Sequence, residues 1–204
     1  MSLVLAADYR VPDFDHWWAR LTGDLPRLPS LGAHHIVVYR SLDDASRVFV
    51  TIGVRERGPV DALLRSPVMF SWFDSAGVEE IPPMFAGEVV EKLELAGDAA
   101  APAVPGAVIV AAIAPVGRLD QLRDSVHAAV ERLATSGVRR FWIYRALDDQ
   151  AEVMILQEIA TERQAEQWIR HPDAAAAFMA EAGAGAYPPL FVGRLVQAIE
   201  VPGT

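Results

Sequence analysis

The sequence predicts an α+β fold made of two β-α-β-β-α-β repeats, and three observations lead to it. "YRSLDD" at 39–44 returns as "YRALDD" at 144–149. "LVLAA" at 3–7 has the partner "VIVAA" at 108–112 at the same spacing. "IPPMFAGEVVEKLEL" at 81–95 answers to "YPPLFVGRLVQAIEV" at 187–201, one residue further on. A register kept from end to end is the mark of a duplication. The extra residue falls between the two helices expected late in the second copy. The repeats are residues 1–95 and 107–204. The Ala-, Pro- and Gly-rich "AGDAAAPAVPG" at 96–106 reads as a linker.

Each element has a local reason. "LVLAA" and "VIVAA" are short apolar strands. Phe14, Trp17, Trp18 and Leu21 fall on one face of a helix entered near Pro12–Asp13, and Leu119, Leu122 and Val126 repeat that face. "HHIVVYR" (34–40) and "RRFWIYR" (139–145) are strands, as are "RVFVTIGV" (47–54) and "EVMILQEIA" (152–160). The acidic "SLDDAS" and "ALDDQA" between them are hairpin turns, where Asp bonds nearby backbone. Pro59 opens a second helix, "VDALLRSP". Thr161 and Gln164 have capping-box spacing before "ERQAEQWIR", and "AAAAFMAEA" continues helically. A Pro-Pro pair then leads into the last strand of each copy. The strands are apolar on both alternating faces: Phe141 and Ile143 point one way, Trp142 and Tyr144 the other. Each sheet therefore expects helices on one side and further protein on the other. By the same alternation, the adjacent His34 and His35 should face opposite sides.

Composition removes whole classes of function. The net charge of −9 leaves no basic stripe for a nucleic-acid backbone. The lack of cysteine excludes disulfides, thiolate metal sites and cysteine nucleophiles. "MSLVLAADYR" has no basic leader region and turns polar after five apolar positions, so it reads as a strand. No apolar run is long enough to span a membrane. The expectation is a cytoplasmic protein without nucleic-acid or membrane partners.

The second-helix stretches "VDALLRSPVMFSWF" (60–73) and "AEQWIRHPDAAAAFM" (165–179), with the "PPxFxG" entry to the last strand, resemble the dimeric α+β barrel superfamily. Its antibiotic-biosynthesis-monooxygenase-type domains are the most similar. The resemblance covers nearly the whole chain. It implies two ferredoxin-like repeats forming an intrachain pseudo-dimeric α+β barrel, which can itself pair into a homo-oligomer. It also implies a pocket between sheet and helices, lined by aromatics, for a small-molecule ligand. Activities in the superfamily range from cofactor-free oxidation of polyketide quinols to haem degradation. The haem-degrading members carry an axial histidine seven residues after the helix-step Ser. Here Phe73 and Phe178 stand at that spacing, which places haem degradation below the other readings.

Chemistry-bearing residues are few. The five histidines form no helical metal pair, so no metal site and no cofactor is expected. No nucleophile elbow and no glycine-rich phosphate loop is present. His35, on a strand, and Glu158, at a strand end where burial would raise its pKa, are the candidate catalytic bases. His16, Trp17, Trp18 and Tyr39 are the candidate binding set for an aromatic ligand in the first repeat. Arg140 and Arg145 are anion anchors in the second, with Arg123 beside them. The second repeat has Gln121, Leu122 and Arg123 in place of His16, Trp17 and Trp18, so the first is expected to hold the ligand. Three functions fit: a cofactor-independent monooxygenase acting on an aromatic or polyketide-like compound, a non-catalytic binder, and an interaction protein with filled pockets.

Overall fold

The computed structural model describes residues 3–64, 66–95, 106–170, 177, 180–181, 183 and 189–201, without the side chains of Leu31 and Trp168. Both β-α-β-β-α-β repeats are present. The first runs β1 (Leu3–Arg10), α1 (Phe14–Asp24), a 3-10 helix (Leu25–Leu31), β2 (Ala33–Ser41), β3 (Arg47–Val54), α2 (Arg57–Leu64), α3 (Pro67–Ser75) and β4 (Met84–Glu94). The second runs β5 (Val108–Pro115), α4 (Leu119–Ala128), α5 (Val130–Thr135), β6 (Val138–Ala146), β7 (Glu152–Ile159), α6 (Glu162–Arg170) and β8 (Phe191–Glu200). The 3-10 helix, and α5 as a separate helix, are additions to the sequence reading. The expected linker, apart from Gly106, and most of "AAAAFMAEA" lie outside the described residues, as do His171 and Phe178.

The duplication extends to the hydrogen-bond register. Leu3 pairs with Val54 in β1 and β3, and Val108 with Ile159 in β5 and β7. Even the irregularity is copied: the ladder shifts between Ala33 and His35 in β2, and between Val138 and Arg140 in β6. Such a bulge adds one residue to one strand and bends it. Just before each bulged strand stands a glycine with positive φ, Gly32 (+73°) or Gly137 (+93°), a conformation that an L side chain resists. Their carbonyls accept from Arg55 and Ala160 at 3.0 and 2.8 Å, tying the strand entry to the end of β3 or β7.

By compactness the chain forms two units, Met1–Ala86 with Val196–Thr204, and Gly87–Leu195. In the first, β1, β3 and β2 are antiparallel neighbours. Val201, just past β8, donates its N–H to the His34 carbonyl at 3.0 Å. In the second, the start of β8 pairs with β5, followed by β7, β6 and β4.

The helices lie where their apolar stripes require. Asp13 caps α1 by accepting from the His16 N–H at 3.0 Å. Trp17 and Leu21 then point inward, and Leu122 and Val126 do so in α4. Trp17 is fully buried against Tyr9 and Phe14, so truncating it to alanine would cost about 3–5 kcal/mol. Ser66 caps α3, with Pro67 in its first turn. The Thr161 hydroxyl accepts from the Gln164 N–H at 3.3 Å, as the capping-box spacing predicts. β1 and β7 are buried on both faces along nearly their whole length.

The two acidic corners are turns; in the first, Asp43 accepts from the Ser41 hydroxyl, and in both the second aspartate bonds the residue two further on. The Asp44 carboxylate accepts from the Ser46 N–H at 3.0 Å and from its hydroxyl at 2.6 Å. Asp149 accepts from the Ala151 N–H at 2.8 Å. The corner arginines are already engaged: Arg40 donates to the Ala45 carbonyl at 2.6 Å and lies over the Phe14 ring, and Arg145 donates to Glu88 at 2.5 Å.

One sequence expectation is corrected. His34 and His35 do not face opposite sides; their rings meet edge to face with centroids 4.4 Å apart. The bulge between Ala33 and His35 breaks the strict alternation, and Gly53, with no Cβ, leaves the space that both rings use.

Candidate functional site

A cavity of about 1040 Å³ opens in the first unit between the sheet and its helices. Its floor is the helix-facing side of β1 and β3, where alternation places Leu5, Ala7, Tyr9, Val50 and Ile52 on one surface. Leu21 and Leu28 close one flank; Leu63, Met69, Trp72 and Phe73 close the other. Small residues leave the space open, among them Ala7, Gly58, Ala62, Ser66 and Ser71. The lining is mostly apolar, which suits a ligand driven in by burial of its own apolar surface.

The charged lining groups are concentrated at one corner. Asp24, the last residue of α1, accepts from the Trp72 indole N–H at 3.0 Å. The same carboxylate is 3.3 Å from Arg20 and 3.1 Å from Arg27. The Arg20 Nε–H donates to the Ser75 hydroxyl at 3.2 Å. Asp24 therefore ties α1, the 3-10 helix and α3 together across the cavity. A carboxylate with this many donors is held in place by charge-assisted hydrogen bonds. Tyr9 stands on the floor with its ring edge-on to Trp17 and Phe73. Burial pushes its phenol above the ordinary tyrosine range, so it stays an O–H donor.

None of the nine residues singled out from the sequence lines this cavity. His16 touches a lining residue: its ring Nε2 donates to the carbonyl of Ser75 at 3.1 Å. Trp17 lies behind Tyr9, and Trp18 stacks on Phe14 with centroids 6.2 Å apart. Tyr39 and His35 pair with Phe49 and Gly53 across β2 and β3, on the face opposite Val50 and Ile52. The His35 imidazole is pushed below its ordinary value by burial and then by His34, with Glu200 opposing. Arg140 and Glu158 belong to the second unit, where they form an ion pair at 3.1 Å whose side chains are 17% and 6% exposed. Arg145 is paired with Glu88.

Cross-strand positions explain part of this. Arg140 and Glu158 occupy in the second repeat the places of His35 and Gly53 in the first. A large residue on β2 faces none on β3, whereas an arginine on β6 faces a carboxylate on β7. Position 35/140 is thus a site of sheet pairing in both copies. The residues that sequence reasoning passed over are Tyr9, Arg20, Asp24 and, as a site residue, Trp72. Arg20 and Asp24 carry the one available signal, an ion pair at i, i+4 on α1. The Trp72–Asp24 bond joins residues far apart in the chain and leaves no local trace.

No family model matches the sequence, and no curated protein matches it. Solved structures do match it in fold. An anthrone oxidase-like protein superimposes with a TM-score of 0.68 at 11% identity, covering 98% of this chain and 93% of its own. A proposed chlorite dismutase gives 0.60 at 16% identity, with 96% and 95% covered. A ferredoxin-fold protein of Listeria monocytogenes, related to antibiotic biosynthesis monooxygenases, gives 0.53 at 10% identity, with 97% and 95% covered. At these identities the likeness is one of fold. The chain has the ferredoxin-like α+β fold that the sequence motifs resemble.

Proposed function

We propose that this protein binds a small aromatic or polyketide-like molecule in the first-repeat cavity and oxidises it with dioxygen, without a cofactor. The observation that carries the reading is the cavity itself: large, mostly apolar, walled by Tyr9, Trp72 and Phe73, with its charged groups gathered at one corner. The fold likeness to an anthrone oxidase-like protein supports the choice of chemistry.

Taking anthrone as the test substrate, the reaction balances as one anthrone and one dioxygen giving one anthraquinone and one water. The methylene C–H loses its proton to water, which returns one when the peroxide forms, and the carbanion passes an electron to dioxygen. Recombination forms the C–O bond of a peroxide. Protonation of that peroxide and loss of water, with departure of the second methylene hydrogen, leave the new carbonyl. An apolar cavity favours the aromatic body, and the Tyr9 O–H offers a hydrogen bond to a developing oxygen anion. Oxygen-electrode traces with anthrone and a panel of hydroxyquinols test this. Uptake matching quinone formed, and lost in Ala7→Phe, is the expected result. Binding without uptake would leave a binder.

Non-catalytic binding is the second reading, and one observation favours it: the cavity's carboxylate, Asp24, is already occupied by three donors. The proposal includes self-association into a homo-oligomer in the cytoplasm, supported by the exposed apolar side chains of Phe70 and Ile81 and tested by light scattering. Among the described residues no helix is long and apolar enough to cross a membrane.

A further inference from the structure

Resting on the cavity being the ligand site, we propose that the site selects a singly acidic apolar molecule, and that Arg20 binds its ionised oxygen. The class is an aromatic body with one carboxylate, sulfonate or ionised phenol.

Charge at the corner supports this. Among the described lining residues the ionised groups are Arg20, Arg27 and Asp24, so one positive charge is in excess. This excess sits in a chain of net charge −9, whose overall field repels anions. A local inversion of that sign, beside an apolar cavity, is what an apolar anion requires. A neutral ligand would gain nothing from it, and a cation would be opposed.

Geometry singles out Arg20 over Arg27. Arg27 is the more solvated, with its side chain 79% exposed against 39% for Arg20. Arg20 is fixed at two points of its guanidinium, Nε on Ser75 and Nη2 against Asp24. A guanidinium has five N–H donors, so the rest of the fork remains for a ligand. Pre-orientation lowers the entropy lost when an anion is bound. Asp24 is thus a positioning residue, and its bond to the Trp72 indole holds an aromatic wall beside the charged group.

The probes are 8-anilinonaphthalene-1-sulfonate and N-phenyl-1-naphthylamine, which share an aromatic body and differ by the sulfonate. Both are titrated by fluorescence against wild type, Arg20→Gln, Arg20→Lys and Ala7→Phe, with folding checked by circular dichroism. Wild type is expected to prefer the sulfonate by roughly tenfold, the scale of one charge-assisted hydrogen bond. Arg20→Gln removes that preference and leaves the neutral amine unchanged; Arg20→Lys keeps part of it. Added salt weakens the sulfonate alone, a readout in wild type that holds even if a variant fails to fold. Equal affinity of wild type for the two probes, or equal loss of both in Arg20→Gln, overturns the inference. If Ala7→Phe still blocks both probes in that case, the cavity reading survives without it. If Ala7→Phe affects neither probe, both fall.

Discussion

Gly53→Ala is a small change that the structure predicts to be costly. Gly53 lies within β3, opposite His35, with no positive φ to explain its identity. A Cβ built on it would overlap Cε1 and Nδ1 of His35 and lie 2.6 Å from Cε1 of His34. Real Cβ atoms do not come so close, so both rings must leave their places. Their freedom is limited, because each is partly buried and the two already touch. Overpacking of this kind costs about 1–3 kcal/mol. For a chain of this length each kcal/mol moves Tm by roughly 2–4 °C, so the variant should melt several degrees below wild type. The atoms in closest conflict belong to His35. In a His35→Ala background the same Gly53→Ala change should therefore cost little. The double-mutant cycle, read by urea denaturation, should show a coupling of about 1 kcal/mol or more. Equal losses in the two backgrounds, or no loss in wild type, would refute the steric account.

Arg140→Ala strands the buried Glu158 carboxylate and should destabilise by about 3–5 kcal/mol, whereas a double replacement by Met and Gln should cost much less; denaturant curves of both decide. The Asp44 carboxyl is drawn from 3.8 down to about 2, first by the Ser46 hydroxyl and next by Arg10. A depressed folded-state pKa gives stability that is present above the unfolded value and lost as pH falls through about 2. Acid melts should show that loss in wild type and a flatter curve in Asp44→Asn, while Asp43→Ala keeps the Asp44 bonds, loses only the Ser41 hydroxyl's bond and should cost about 1 kcal/mol or less. Trp72→Phe removes the indole donor to Asp24 and should cost roughly 1–2 kcal/mol, with a lower affinity for the aromatic probes.

The fold was legible because the duplication writes each element twice. Trp17 with Leu21 and Leu122 with Val126 carry one stripe in two copies, and the hairpin corners recur with their aspartates. Matched evidence of that kind offsets the weakness of any single stretch. The site was less legible for reasons that lie in particular residues. Trp17 looks like a ligand platform in sequence, yet an aromatic at a helix–sheet contact has the same spacing whether it fills the core or lines a void. Tyr39 was separable from the cavity by parity alone, since it pairs with Phe49 and not with Val50. The bulge at His35 was not readable, because nothing in "AHHIV" marks an inserted residue. The cavity depends on what is missing at Ala7, Gly58 and Ala62, and small residues carry no signal for emptiness.

Crystals soaked with anthraquinone, the product of the proposed reaction, show whether the first-repeat cavity is the ligand site. Ring density is expected on the floor formed by Ala7, Val50 and Ile52, beside Trp72, with a carbonyl oxygen toward Tyr9 or Arg20. Density on the opposite face of β2 and β3, beside His35 and Tyr39, would contradict it, as would a cavity left without ligand while the compound binds elsewhere.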